Sequence, residues 1–351
     1  MIRRVPPWFV AAIILIPAAI GIGWWFYWPT YRRNHLLAVA EKALAADDLP
    51  LAKASLEKLL KDAKLQEEPR QQAHVQLLYA RVLRRLGRSN DAWSPLQAAV
   101  QGGLPQPEGR REYALLEAAG DFPLAENALR RALEDYPEDT EILRALAEGY
   151  AHQRRWREAE DAYTRGLEVQ PGKEEVRLGR GHARLEAGRF DQAADDFHQI
   201  LATSPNHFQA RLSLAQCLLS DFKIDDAEAE LIRCHQLLPA RSEPLVGLGA
   251  CALERGDLEK AQTHTKEALA LDPGSIPALT LLGTLYLRRQ RYDLAIPVFE
   301  RVIHLNPRDK QGHLYLAQAL AKNGELEKAK IHENLYKELE QGQPSGKIRG
   351  P

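Results

Sequence analysis

The sequence predicts an all-α chain in which one transmembrane helix precedes a superhelical solenoid of about nine helix–turn–helix repeats. Two observations support this prediction. Residues 8–28 form a run of 21 residues without a charged side chain. Further along, prolines recur at a constant period of about 34 residues, which is typical of stacked helical repeats. These prolines are Pro137, Pro171, Pro205, Pro239, Pro273 and Pro307.

The uncharged run fits a membrane anchor that follows a short N-terminal tail, residues 1–7. A helix of this length spans roughly 30 Å, the thickness of the hydrocarbon core of a bilayer. Its aromatic end, residues 24–28, is typical of the headgroup level. A cleaved signal peptide is the alternative, since Ala19 and Gly21 are small. The apolar run continues to Trp28, however, and this favours an uncleaved anchor.

The charges that flank this run give little information about its orientation. Arg3 and Arg4 stand on one side and Arg32 and Arg33 on the other, so the positive-inside bias nearly cancels. The short tail favours a cytoplasmic N-terminus with the repeats outside. We therefore expect a single-pass membrane protein.

The repeats are predicted to begin near residue 33, each as two short helices. In residues 274–307, Leu279, Leu282 and Tyr286 share one helix face, and Ala295 and Phe299 share another. The closing proline cannot continue the second helix. Alanines keep the same period, and a large residue is expected just before each second helix. The alanines are Ala125, Ala159, Ala193, Ala227, Ala261, Ala295 and Ala329, and the large residues are Trp156, Phe190, Ile224, Leu258, Tyr292 and Leu326.

This pattern resembles the tetratricopeptide repeat (TPR), with Leu248, Gly249, Ala261 and Pro273 at its typical positions. The resemblance covers three degenerate repeats in residues 33–137 and six regular repeats in residues 138–340. A disordered tail is expected for residues 341–351. Residues that depart from the family pattern are Arg177, Arg180, Leu231, Thr265 and Glu333. Residues Ser242, Ser275 and Asp309 stand where the cap of the next helix is expected.

The resemblance implies a scaffold that binds protein or peptide partners in a concave groove lined by the first helices. Groove positions implied in this way are Arg144, Glu148, Leu178, His182, Leu212, Gln216, Val246, Thr280, Thr284, Leu314 and Gln318. Among them Leu178, Leu212 and Val246 form either an apolar strip for a partner or ordinary contacts between helices. Together with the anchor, this implies a membrane-tethered adaptor that assembles a membrane or envelope complex. A regulatory or recruiting subunit of an enzyme complex is the alternative.

Composition and motifs indicate that no chemistry takes place on this chain. The 47 basic and 48 acidic residues nearly balance, so no nucleic-acid partner is expected. Motifs for zinc hydrolysis, for nucleophilic serine and for phosphate binding are missing from the sequence. We therefore expect no enzyme activity, no catalytic residue, no metal, no cofactor and no small-molecule substrate.

Two clusters allow more than one interpretation. Cys217, Cys234 and Cys251 follow each other at equal intervals of half a repeat, which is compatible with buried packing or with a disulfide or redox role. A basic cluster is interpreted as a solvated helix end or as a site attracted to anionic lipid. Its members are Arg81, Arg84, Arg85 and Arg88.

Overall fold

The computed structural model describes residue 28 and residues 30–341, which form eighteen α-helices, one 3-10 helix and no strand. The predicted all-α class is confirmed for this part of the chain. In order, the helices are α1 (30–45), α2 (Leu49–Leu60), a 3-10 helix (Ala63–Glu67), α3 (Pro69–Arg85), α4 (Ser89–Gln101), α5 (Gln106–Ala118), α6 (Phe122–Asp135), α7 (Thr140–His152), α8 (Trp156–Val169), α9 (Glu174–Glu186), α10 (Phe190–Thr203), α11 (Phe208–Ser220), α12 (Ile224–Leu237), α13 (Glu243–Glu254), α14 (Leu258–Leu271), α15 (Ile276–Arg288), α16 (Tyr292–Leu305), α17 (Lys310–Lys322) and α18 (Leu326–Glu340).

The described helices pack as consecutive pairs, from α1 with α2 to α17 with α18. The chain divides into two compact units, Met1–Pro171 and Gly172–Pro351. Helices α1–α8 lie in the first, called unit 1, and α9–α18 lie in the second, called unit 2.

The membrane anchor predicted for residues 8–28 lies outside the described residues, apart from Trp28. The tail from residue 342 onward lies outside them as well. Within residues 30–341, every helix is too short or too polar to cross a bilayer.

The predicted helix boundaries need two corrections. The large residues expected before each second helix are instead its first helical residues, as Trp156 is in α8 and Tyr292 in α16. Ser275 and Asp309 cap α15 and α17 with side-chain hydrogen bonds from backbone N–H groups. Ser242 makes no such bond, because its backbone is already helical.

Two of the regular pairs close where a glycine of the first helix meets a phenylalanine of the second. A Cβ atom added to Gly283 would lie 2.5 Å from Phe299, and one added to Gly181 would lie 2.6 Å from Phe197.

Two departures from the family pattern are compensated by local contacts. The buried Thr265 hydroxyl donates to the Ala261 carbonyl at 2.6 Å, and Leu231 fills the space beside Gly247.

The last helix has a polar face where earlier second helices are apolar. Lys330, Glu333 and Lys337 stand one repeat after Ile296, Phe299 and Ile303, which pack against α17. Glu333 and Lys337 form an exposed ion pair at 2.7 Å. Such a face is typical of the terminal helix of a solenoid.

An ion-pair network joins three first helices of unit 1. Arg84 of α3 contacts Glu112 of α5 at 2.6 Å and Glu141 of α7 at 2.9 Å, and Arg111 contacts Glu141 at 3.0 Å. Burial by itself would raise the pKa of Glu141, but Arg84, Arg85 and Arg111 lower it to about 2. The prediction that this basic cluster forms a solvated helix end is therefore wrong for Arg84, because its carboxylate partner Glu112 is fully buried.

The other members of that cluster also have acidic partners. Arg81 contacts Glu112 at 3.2 Å, and Arg85 forms an ion pair with Glu141. Arg88 pairs with Asp91 at 2.6 Å near the start of α4. All four guanidinium groups of the cluster are therefore already paired with carboxylates. This argues against the alternative in which the cluster attracts anionic lipid.

Candidate partner-binding surface

The first helices of unit 2 form one continuous face. The backbones of α9, α11, α13, α15 and α17 approach each other in succession, whereas the Cα atoms of neighbouring second helices of this unit stay more than 8 Å apart. The side on which helices approach closely is the concave side of such a stack. We call this surface, lined by the first helices of unit 2, the inner face.

Most of the predicted groove residues of unit 2 lie on the inner face and are uncharged. Gln216 and Gln318 are exposed there, whereas Leu212 is buried. The half-buried members are Leu178, His182, Val246, Thr280, Thr284 and Leu314. Arg144 and Glu148 belong to α7 of unit 1, where they are exposed and pair with each other at 3.5 Å.

The predicted apolar strip is interrupted at its centre. Leu212 is only 7% exposed and packs in a core cluster with Leu231 and Leu245. Val246 packs against the same cluster, and Leu178 packs against a neighbouring one. At Leu212 the alternative of contact between helices is therefore correct, because the close approach of α11 and α13 covers its side chain.

His182 connects two first helices and is not an open groove residue. Its Nε2 atom lies 2.8 Å from the hydroxyl of the buried Ser213, and its ring centroid lies 5.6 Å from that of Phe197. Burial lowers the pKa of His182. The imidazole is therefore neutral at neutral pH, in keeping with the uncharged inner face.

Charge on the inner face is concentrated at its edge, where the first helices end. The last residues of α9 and α13 are Glu186 and Glu254, whereas those of α15 and α17 are Arg288 and Lys322. All four are exposed, and within residues 30–341 none of them forms an ion pair. This edge therefore changes from acidic to basic along unit 2.

Comparison with known families agrees with this architecture. Models of the tetratricopeptide repeat match residues 116–181, 184–234 and 280–343, which make up just over half of the chain. The chain belongs to the tetratricopeptide repeat family. TPR proteins are generally scaffolds without catalytic activity that mediate contacts between proteins.

Solved structures share the fold at low sequence identity. The structure of pilF from Pseudomonas aeruginosa has a TM-score of 0.50 at 18% identity and covers 60% of this chain and 96% of its own. A thermophilic TPR protein of Thermus thermophilus has a TM-score of 0.48 at 19% identity and covers 52% and 99%. No curated protein matches the chain in sequence.

Individual TPR units contain a set of polar pairs that was not predicted from the sequence. Asp196 is buried and contacts Arg180 at 2.6 Å and Arg184 at 2.8 Å. One repeat later, Arg211 pairs with Glu230. Two of these residues, Arg180 and Arg184, stand where other TPR units have apolar residues. Aligning the chain with itself in steps of one repeat would have revealed the acidic partners opposite them.

The three cysteines are free thiols in the core of unit 2. Burial raises the pKa of Cys217 to about 12 and those of Cys234 and Cys251 to about 11. Because the thiolate is the reactive form, this environment favours the packing interpretation over the redox one. Among the described residues, no three His, Cys, Asp or Glu side chains come together as a metal site.

Proposed function

We propose that the protein is a membrane-tethered TPR scaffold that binds a segment of a partner protein on the inner face of unit 2. Its role would be to assemble a membrane or envelope complex. The observation that supports this function best is the combination of an uncharged inner face with a charged edge. Solenoid proteins use such first-helix surfaces for extended or helical ligands.

The edge charges specify what kind of segment fits. Glu186 and Glu254 favour a basic end of the ligand near α9 and α13, and Arg288 and Lys322 favour an acidic end near α15 and α17. Between them, Val246, Thr280 and their neighbours favour an uncharged stretch. Complementary charges mainly set orientation and association rate, so the segment should bind in one direction.

Site-specific photo-cross-linking tests the inner face. A photoreactive amino acid at Gln216 or Gln318, both exposed on first helices, should capture a protein partner in the native membrane. The matched control is Glu228, which is half-buried on the second helix α12 and pairs with Arg255 at 2.6 Å. Capture from Glu228 but not from Gln216 or Gln318 would place the binding surface elsewhere.

Charge at the same positions should then change affinity for the captured partner. Gln216→Lys introduces a cation into the uncharged stretch and should weaken binding about tenfold or more. Gln236→Lys, on the exposed side of the second helix α12, should leave binding unchanged. Equal effects of the two variants would contradict a first-helix site.

The membrane tether has its own test. The full chain should sediment with membranes and resist extraction by carbonate, because residues 8–28 contain no charge. A chain that begins at Thr30 should remain in the soluble fraction, and it retains the contact of Arg33 with Glu68 at 2.8 Å. Soluble full-length product with an N-terminus at or after Ile22 would demonstrate cleavage and rule out the anchor.

A further inference from the structure

Phe222, in the turn between α11 and α12, is both exposed and held in an unfavourable backbone conformation. Its side chain is 78% exposed, and its φ angle is +57°. Of the equivalent turns, three use Gly188, Gly256 and Gly324, and two place the flexible polar side chains of Arg154 and Gln290 at the same positive φ. A bulky residue is a genuine outlier in this region, which glycine adopts without strain. Neither hydration nor backbone energy explains a phenylalanine at this position, which suggests that its ring has a binding role.

The surface around Phe222 is acidic. Asp221 and Asp191 contact Lys223 at 2.5 and 3.6 Å, and Asp225 and Glu228 share Arg255. Asp226, in the same turn of α12, is exposed as well. Acids therefore outnumber bases here, and a complementary surface would be apolar at its centre and basic at its rim.

Unit 1 of the same chain has a surface with this character, which we call the Tyr113 pocket. It is a cavity of about 270 Å³ whose lining includes Val100, Leu104, Gly109 and Tyr113, with Arg110 and Arg131 beside them. Tyr113 is 49% exposed, and its ring packs edge-on against Trp93 at 5.1 Å. Arg110 pairs with Asp135 at 2.8 Å, whereas Arg131 forms no ion pair within the described part of the chain.

We propose that Phe222 of one molecule inserts into the Tyr113 pocket of a second copy of this chain. The phenyl ring would pack against Tyr113, since aromatic rings favour edge-on or offset contacts. The aspartates around Phe222 would lie near Arg131, and this charge complementarity favours the second copy as occupant. This surface is distinct from the inner face and goes beyond the proposed function.

The contact is heterologous, since the inserting side chain and the receiving pocket are different surfaces. Such contacts continue from copy to copy unless they close into a ring. We therefore expect the full chain, purified in detergent, to form assemblies whose mass grows with protein concentration. Sedimentation velocity measures this growth.

Phe222→Gly tests the inserting residue. The variant should associate at least tenfold more weakly, while its unfolding temperature stays equal or rises because glycine tolerates the positive φ. The matched control is Gln290→Gly, at the equivalent turn two repeats later with φ +59°. That variant should associate like the wild-type chain. Association of Phe222→Gly at the wild-type level would overturn the proposal.

Arg131→Glu tests the pocket and allows a complementation experiment. This variant should also be monomeric, because the reversed charge repels the aspartates around Phe222. Mixed in equal amounts, the two variants should form dimers and nothing larger, since one retains the pocket and the other retains the phenylalanine. A mixture that stays monomeric, or a wild-type chain that stays monomeric, would exclude a second copy as the occupant.

Discussion

At the scale of single residues, one position in the second helix determines how each TPR unit packs internally. This position recurs once in each of the six regular repeats. It is occupied by Ala162, Asp196, Glu230, His264, Val298 and His332. Asp196, Glu230 and His332 contact the first helix of their pair, as Glu230 does with Arg211. Ala162 is too small to do so, and an open cavity of about 430 Å³ lies there, bordered by Leu143, Leu146 and Tyr150.

Ala162→Val should stabilise unit 1 because it fills part of this cavity. Val298 occupies the equivalent position of α16, so valine already occurs at this position in the same chain. Cavity filling of this kind contributes about 0.5–1 kcal/mol, partly offset by the lower helix propensity of valine. The unfolding temperature measures the gain. Ala202→Val, at an exposed position of α10, should give a small loss, and an equal loss in both variants would contradict the argument.

The same position holds a histidine pair in the last TPR unit. The Nδ1 atoms of His313 and His332 lie 3.0 Å apart, and His313 Nε2 lies 3.0 Å from the Pro307 carbonyl oxygen. A carbonyl only accepts, so His313 Nε2 carries a proton and donates it. When His313 is neutral, its Nδ1 accepts the Nδ1–H of His332. If both rings were fully protonated, their two Nδ1–H groups would point at each other. The repulsion between the two cations disfavours this state.

This pair should make stability depend on pH. Burial, followed by the neighbouring His313, lowers the pKa of His332. The unfolded chain therefore takes up protons below about pH 6.5 more readily than the folded chain, so stability is greatest above that pH and falls as pH decreases. His332→Phe should reduce the loss of the free energy of unfolding between about pH 7.5 and 5.5.

The control for this prediction is Val298→Ala, at the equivalent position of α16. It removes no titratable side chain and should retain the wild-type pH dependence. Part of the dependence should remain in both variants, since burial also lowers the pKa of His182. Denaturant unfolding at a series of pH values measures all three chains, and an unchanged profile for His332→Phe would refute the role of the pair.

At the scale of helices, the contact between glycine and phenylalanine sets the distance within a regular TPR unit. Gly283→Ala would place a Cβ atom 2.5 Å from the ring of Phe299, which is fully buried and cannot move aside. Overpacking of this kind costs about 1–3 kcal/mol, more than the helix propensity gained from alanine. Gly172→Ala meets no atom within 4 Å and serves as the control. Similar unfolding temperatures for the two variants would contradict this account.

Helices were predictable from the sequence wherever local chemistry repeats. The period of prolines and alanines placed the helix pairs, because these residues act through their own backbone or through one neighbouring helix. Burial of Leu212 was not predictable in this way, since it depends on how closely α11 approaches α13. The inner-face positions could therefore be assigned from the repeat, whereas the exposure of each side chain could not.

The ion-pair network of unit 1 was beyond prediction for a related reason. Arg84 and Glu141 are separated by 57 residues in the part of the sequence where the repeat is degenerate. Arg84 belongs to the cluster that was interpreted as a solvated helix end, but it lies against acidic residues of α5 and α7. The contact between Arg84 and Glu141 forms only because α3, α5 and α7 stack on each other. The repeat period of the sequence does not predict it.

At the scale of the whole molecule, the two units are stabilised differently on their first-helix sides. In unit 1, arginines and carboxylates join α3, α5 and α7, with Glu112 fully buried among them. In unit 2, the inner face is nearly free of charge and the helices meet through leucine, alanine and cysteine side chains. A surface with its charges already paired offers little to a charged partner, whereas an uncharged one with a charged edge remains available. This contrast is why we assign binding to unit 2.

Stability in such an array should respond locally to a core mutation. Ala227 is fully buried in α12 beside Leu231 and Leu245, so Ala227→Leu should overpack it at a cost of about 1–3 kcal/mol. Each TPR unit contacts mainly its neighbours, and amide exchange should therefore accelerate in α11–α14 while α2, which contains Ala52, stays protected. Hydrogen exchange monitored by mass spectrometry resolves the two regions. Equal acceleration of amide exchange around Ala52 and Ala227 would mean that the chain unfolds as one cooperative body. The destabilisation caused by Ala227→Leu would then have to spread through contacts other than those between adjacent TPR units.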